Sequence, residues 1–283
     1  MGLGDDLMIT AFIEQEKKKH PNKQIVIGNL EKKIIYDSLI YNPNITEIKK
    51  VDRSKPIHFI NYHNRNRPYI DYKNSNNRNW KWNTKFKPTP GKIYFSNDEK
   101  NKAKNILNSA IDHWEKNNKS KFKAIIFFES TSTKIENNFY YNKQKNLDWG
   151  EQNWKELILR LKDDYLIIQS KHETSKRYTG AYYSSIDFDF RIACAIIDNC
   201  DLFLGPHGGF VHVAAALKKN AVQYLGGWIH PNVIGYDFHE NLYFDHPQSP
   251  CGSVGYLCDH CEEARKSITV DFFYKKVVSS LSC

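Results

Sequence analysis

Two α/β domains, built on parallel sheets and facing each other across a cleft, are the fold class this sequence predicts. Short apolar runs rich in Ile, Val, Phe and Tyr alternate with amphipathic stretches of helical period along most of the chain. Several of those runs are apolar throughout, as strands buried on both faces of a parallel sheet must be. The length, 283 residues, suits two domains, and a polar, charged stretch at 115–121 (EKNNKSK) sets the boundary near 118. The expected division is 1–118 and 119–283, with ligands bound between the two halves.

The elements follow in order. The chain opens on GLGDD, which looks like the glycine-rich turn that follows a first strand, although no strand precedes it. Either the fold lacks that strand or the chain begins downstream of it. Helical period predicts helices over 7–19, 31–39, 98–116, 154–162, 186–199 and 210–218. Apolar runs predict strands at 24–29, 57–63, 92–96, 123–130, 165–170, 201–206 and 221–227. A closing helix over 270–281 has the option of packing back on the first half. The polar stretch 63–92 is too long for an ordinary connection and carries Arg, Tyr and Trp, so it reads as a functional loop or a variable insertion.

Composition narrows the function classes. The net charge of +9 fits attraction to polyanions or a Lys/Asn-rich bias, and the lysines are scattered rather than gathered in one run. No arginine-rich arm or RNA-binding aromatic signature accompanies them, so no nucleic-acid partner is expected. The first 21 residues do not form a signal peptide, because the apolar stretch is short, follows two aspartates and ends in charge. No apolar run reaches the ~20 residues a membrane span needs. Six cysteines without an export signal point to a reduced, cytoplasmic protein, with any membrane contact peripheral and anionic.

The strongest local signal is GPHGGFVHVAAALKKNAVQYLGG, 205–227. A buried strand ends at a Gly-Gly turn, and a helix with small alanines follows. Glycines there permit unusual backbone angles and close approach of N–H groups to a ligand. A helix N-terminus offers unsatisfied N–H groups and partial positive charge to a diphosphate. Alone, the turn fits either anion binding or simple turn chemistry.

With its surroundings, the segment resembles glycosyltransferase family 9, which includes ADP-heptose:lipopolysaccharide heptosyltransferases. The resemblance runs through DLFLGPHGG, HVAAAL and AVQYLGG, and extends to GLGDDLMITAFIEQEKKKHPNKQIVIG (2–28), to ESTSTK through YLIIQ (129–169) and to SITVDFFYKKV (267–277). It implies the GT-B fold, two Rossmann-like domains with the donor nucleotide on the C-terminal one and the acceptor on the N-terminal one. It further implies an inverting transfer of sugar from a nucleotide-diphosphate donor to a surface-glycan or lipopolysaccharide-type acceptor, with no metal required for the chemistry. By that resemblance Asp5 is the general base, with Asp6 as fallback, and helix capping is the competing role for both. The donor side is His207, Gly208 and Gly209, with His212 packing or bonding below them. Ser130 and Thr131 supply hydroxyls to the diphosphate or cap the next turn. Two departures stand out. Asp-Thr-Gly of the heptosyltransferases is replaced by His207-Gly208-Gly209, and the phosphate-binding lysine position holds Leu147, leaving Lys145 and Lys143 as out-of-register substitutes.

Trp228, His230 and Tyr236 are candidates to stack on a sugar or base. In CGSVGYLCDHC, Cys251, Cys258, Cys261 and His260 form a possible Cys3His zinc or iron site that would staple a loop; a reduced cysteine cluster is the alternative. A nucleotide-sugar or glycan-binding protein without transfer activity is the second functional reading. A basic nucleic-acid binder ranks last.

Overall fold

The computed structural model describes residues 3–28, 37–60, 67–130, 145–171, 176–254 and 256–282. Residues 3–6 (LGDD) are not a turn before the first helix but that helix's first turn. Helix α1 (Leu3–Lys19) carries Asp5 and Asp6 at its positive end and Lys17, Lys18 and Lys19 at its negative end, matching the helix dipole. β1 (Gln24–Ile27) pairs in parallel with β2 (Ile57–Ile60), and a small core of Ile13, Ile25, Ile27, Leu39 and Ile60 lies under them.

The strand expected at 92–96 does not form. Its backbone is claimed by side chains: the Lys92 N–H donates to Thr10 Oγ1 at 2.6 Å, and the Tyr94 carbonyl accepts from the Arg191 guanidinium. The segment leads instead into α2 (Asn97–Asn117), opened by a capping box in which Ser96 and Glu99 exchange hydrogen bonds.

Five parallel strands form the main sheet: β3 (Ile125–Phe128), β4 (Leu166–Gln169), β5 (Leu202–Pro206), β6 (Asn220–Gly226) and β7 (Glu240–Tyr243), in the order β4-β3-β5-β6-β7. β7 escaped sequence reading because only Leu242 among its four residues is buried. Along β3, Phe127 enters one core while Ile126 and Phe128 enter the other, so the run must be apolar throughout.

One face is covered by α2, by α4 (Phe190–Ile197) and by α5 (Gly209–Ala216). Helix α2, expected with the first half, thus contributes Ala103, Ile106, Leu107, Ala110 and Trp114 to the main sheet's core. The other face holds α3 (Glu151–Leu161) and α8 (Val270–Leu281), where Trp149, Trp154 and Phe273 interlock. The closing helix therefore packs on this sheet, through Val270, Phe273 and Val277. The short helix α6 (Pro231–Ile234) and α7 (Asp259–Ser267) complete the described α-helices. No described helix is long and apolar enough to cross a membrane.

The strand order reverses between β3 and β5, because the chain leaves β3 to one side for β4 and then crosses back. In open parallel sheets the crevice outside the carboxyl ends at such a switch point binds ligands. Here those ends carry Glu129-Ser130 and His207-Gly208-Gly209.

Arg191 ties these pieces together. Its side chain is 7% exposed, pairs with Glu99, donates to the Asp37 and Tyr94 carbonyls and lies against the Tyr41 and Phe95 rings. Burial opposes ionisation of Glu99, but the bonds from Arg191 and Ser96 outweigh it and hold its pKa below the ordinary 4.5. The pair's contribution is therefore complete above that value and lost as pH falls below it. Arg191→Met, which strands Glu99, should cost about 3–5 kcal/mol in urea denaturation at neutral pH. Much of that loss should return in the Arg191→Met/Glu99→Gln double variant.

Candidate active site where two glycine turns meet

The N-terminus of α1 packs directly on the N-terminus of α5. A Cβ added to Gly4 would stand 2.4 Å from His212 Cδ2 and 3.1 Å from Gly209 Cα. Glycine is therefore required at position 4 for close approach. Gly208 is in ordinary extended backbone (φ −177°), so the expected need for unusual angles at the Gly-Gly turn does not hold there. The contact brings Asp5, His207, Gly208, Gly209 and His212 into one place.

The state of His207 follows from its neighbours. The Asn241 amide N–H groups donate to the carbonyls of Tyr236 and His239, so Asn241 Oδ1 accepts from Gln223 Nε2 at 2.5 Å. Gln223 Oε1 is left to accept from His207 Nδ1–H at 3.0 Å. Burial lowers the His207 pKa, more than the Gln223 bond and the nearby Asp5 charge raise it. His207 is thus neutral at neutral pH with its proton on Nδ1, and Nε2 is an acceptor. As an acceptor it suits a ligand hydroxyl better than a phosphate oxygen.

His212 is 3% exposed, pairs through Nδ1 with the Tyr236 hydroxyl at 2.8 Å, and is pushed well below the ordinary imidazole range by burial and by His207 and His239. It is a neutral packing group under Gly4. The anion-attracting feature at this turn is the start of α5, whose cap residue Gly208 makes no side-chain capping bond.

Asp5 is 7% exposed. Tyr69 Oη–H donates to its Oδ1 at 2.7 Å, and Arg67 Nε–H donates to its Oδ2 at 3.1 Å. Burial and the Asp5 charge push the Tyr69 pKa well up, so Tyr69 remains a protonated donor. Beside Asp5 opens a cavity of about 400 Å³, lined by Met8, Ile9, Phe12, Ile60 and Lys87 among others. Asp6 is 2% exposed and lies deeper.

At the ends of β3 and β4, Ser130 bonds the Tyr178 hydroxyl, and buried Glu129 accepts from Ser170 Oγ at 2.5 Å. Sequence reading marked the hydroxyls of this strand end and passed over Glu129, whose place at the switch point depends on strand order. Arg67 and Tyr69 were missed for a similar reason, since 62 and 64 residues separate them from Asp5. Thr131, Lys143 and the Lys145 side chain lie outside the described residues.

The three aromatic candidates each have a structural partner. Trp228 is 6% exposed, with Trp80 and Trp82 against its ring and Nε1–H donating to the Ser253 carbonyl at 2.7 Å, so no face is left to stack on a ligand. Tyr236 is buried against His212, and His230 accepts from the Asn232 N–H as the cap of α6.

The cysteine cluster is a formed donor set. Cys251 Sγ lies 3.5 Å from Cys261 Sγ and 3.6 Å from Cys258 Sγ, and Cys258 Sγ lies 3.2 Å from His260 Nδ1. All four ligand atoms fall within 4.8 Å of one another. Tetrahedral zinc with Zn–S bonds of about 2.3 Å places sulfurs about 3.8 Å apart. His260 Nε2 lies 3.0 Å from the Gly227 carbonyl, an outer bond that frees Nδ1 to ligate. The Cys261 thiol's hydrogen bond holds the Cys251 pKa down to about 5, while burial raises Cys258 and the Cys251 contact raises Cys261. Three clustered sulfurs cannot all ionise without a cation among them, so the donor set fits a metal.

Fold and site together define an α/β protein of GT-B type. No protein-family profile matches the chain, and no curated protein matches it in sequence. Solved structures do match in shape. The bacterial iron-containing dodecameric glycosyltransferase TibC of enterotoxigenic E. coli superposes with a TM-score of 0.61 and 14% identity, over 100% of this chain and 74% of TibC. A glycosyl transferase family 9 structure from Veillonella parvula superposes with a TM-score of 0.63 and 13% identity, over 99% and 94% of the two chains. At these identities the likeness is one of fold, and it bears out at that level the family 9 resemblance drawn from sequence.

Gly4→Ala tests the contact that assembles the site. The added methyl meets a buried imidazole rather than the end of a flexible chain, so a loss of about 1–3 kcal/mol in urea denaturation is expected.

Proposed function

We propose that the protein is an inverting glycosyltransferase that moves a sugar from a nucleotide-diphosphate donor to a hydroxyl of a surface-glycan or lipopolysaccharide-type acceptor. The supporting observation is the packing of the Asp5 turn against the His207-Gly208-Gly209 turn, at the crevice where strand order reverses. The fold shared with TibC and the Veillonella glycosyltransferase supports the same reading.

In this mechanism the donor diphosphate lies at the start of α5, and a hydroxyl of the donor sugar donates to His207 Nε2. The acceptor enters from the Asp5 cavity. Asp5 takes the proton from the acceptor hydroxyl as its oxygen bonds to the anomeric carbon. The bond from that carbon to the phosphate oxygen breaks, and the nucleoside diphosphate leaves with the electron pair, met by the N–H groups and dipole of α5. Attack and departure on opposite faces invert the anomeric centre. No metal is required for these steps.

The cysteine loop holds a structural zinc or iron through Cys251, Cys258, Cys261 and His260, a reading that the donor geometry and the iron content of TibC support. Metal analysis should find one equivalent per chain, lost in Cys258→Ser.

Calorimetric titration with ADP, GDP, UDP and CMP should find one nucleotide that binds, and transfer is then assayed with the corresponding sugar nucleotide. Asp5→Asn should keep that binding and lower the transfer rate by roughly 10²-fold or more. His207→Ala should weaken the sugar nucleotide more than the bare nucleoside diphosphate. Binding without transfer, unchanged in Asp5→Asn, would instead support a non-catalytic binding protein of the same fold.

A further inference from the structure

We propose that residues 67–82 form a positioning strap: Tyr69 and Arg67 orient the Asp5 carboxylate, and the cysteine loop holds the strap in place. The inference rests on Asp5 as the base.

At one end of the strap, both oxygens of Asp5 are gripped, by Tyr69 at 2.7 Å and Arg67 at 3.1 Å. Two donors on one carboxylate fix its rotamer as well as its position. The strap then doubles back on itself. Asp71 N–H donates to the Lys81 carbonyl and Asn83 N–H to the Tyr69 carbonyl, each at 2.9 Å, while Ile70 and Trp82 form an antiparallel bridge. At the other end, Asn79 bridges to Ser253, with Trp80 N–H donating to the Gly252 carbonyl and Val254 N–H to the Arg78 carbonyl, each at 2.8 Å.

Gly252 sits directly after the ligand Cys251, at φ +61°, and a Cβ there would stand 2.0 Å from the Trp80 carbonyl oxygen. Only glycine allows the loop to lie this close to the strap. The Arg67 guanidinium lies 5.2 Å from the Trp80 ring centre, linking the two ends through one side chain. Met8, Tyr69, Trp228 and Cys261 share one apolar cluster, so the carboxylate grip and the thiol cluster are packed as a unit.

Tyr69 and Arg67 are thus positioning residues. Their loss should change turnover rather than ligand affinity, because donor and acceptor contact other groups. Tyr69→Phe should lower kcat roughly 10- to 100-fold, with both KM values and the metal content unchanged. Arg67→Lys, which keeps the charge, should retain more activity than Arg67→Ala.

The second arm needs no substrate. Zinc-loaded protein and the same protein treated with a chelator are digested briefly with trypsin and analysed by mass. Metal removal should speed cleavage after Arg78 and Lys81 by at least about tenfold, while cleavage after Lys100 and Lys104 in α2 stays constant. Gly252→Ala should speed the same cuts in the zinc-loaded protein.

Equal strap cleavage with and without metal would overturn the link to the cysteine loop. Unchanged kcat in both Tyr69→Phe and Arg67→Ala would overturn the positioning role. If the wild type transfers no sugar, the transferase reading fails by itself, and the digestion still decides whether the strap is held by the metal loop.

Discussion

The absence of a side chain at Gly4 is the constraint on which the site depends. Because no Cβ intervenes, α1 settles against the imidazole of His212 and the backbone of Gly209. That contact carries Asp5 to the mouth of the crevice between β3 and β5. It also dictates the chemistry beneath. A charged imidazole pressed under a helix end and shut off from water would cost several kcal/mol, so His212 is neutral and bonded to Tyr236. Packing and protonation state are one fact here.

The same economy governs the donor side. A relay from Asn241 through Gln223 fixes which nitrogen of His207 carries the proton, and each member has its partner within the relay. A chain of hydrogen bonds in a low-dielectric interior is rigid, and that rigidity holds the imidazole in a single tautomer. His207 is buried and neutral, so among the described residues the turn at 207–209 carries no formal positive charge of its own. The attraction this turn offers to negative charge comes from the N–H groups and dipole of α5.

Much of this was legible in the sequence because strands buried on both faces read as apolar runs, and the turns at 4–5 and 207–209 fall at the starts of helices. What failed did so for identifiable reasons. Residues 92–96 have strand composition but spend their backbone groups on Thr10 and Arg191. β7 is polar because it closes the edge of the sheet. Trp228 reads as a ligand platform until Trp80 and Trp82, nearly 150 residues earlier, are seen against it. Tyr69, Arg67 and Glu129 reach the site through long-range packing, which no local period encodes. The cysteine cluster was readable as a ligand set from its spacing, while its geometry needed the fold of 249–261.

Helix α1 shows why the first turn was misread and why the pieces cohere. Periodicity begins to look helical only at Leu7, since the preceding residues are glycine and aspartate. Yet the helix is buried on several sides: Leu7 enters the core of the main sheet, Met8 the cluster under the strap, and Ile13 the small core under β1 and β2. A helix that serves three cores cannot show one clean apolar face. The two-stranded sheet is too small to be stable alone, so it depends on α1 for its attachment to the rest. Asp5 stands at the end of an element that joins three of the cores, where a disturbance in any of those three reaches the carboxylate.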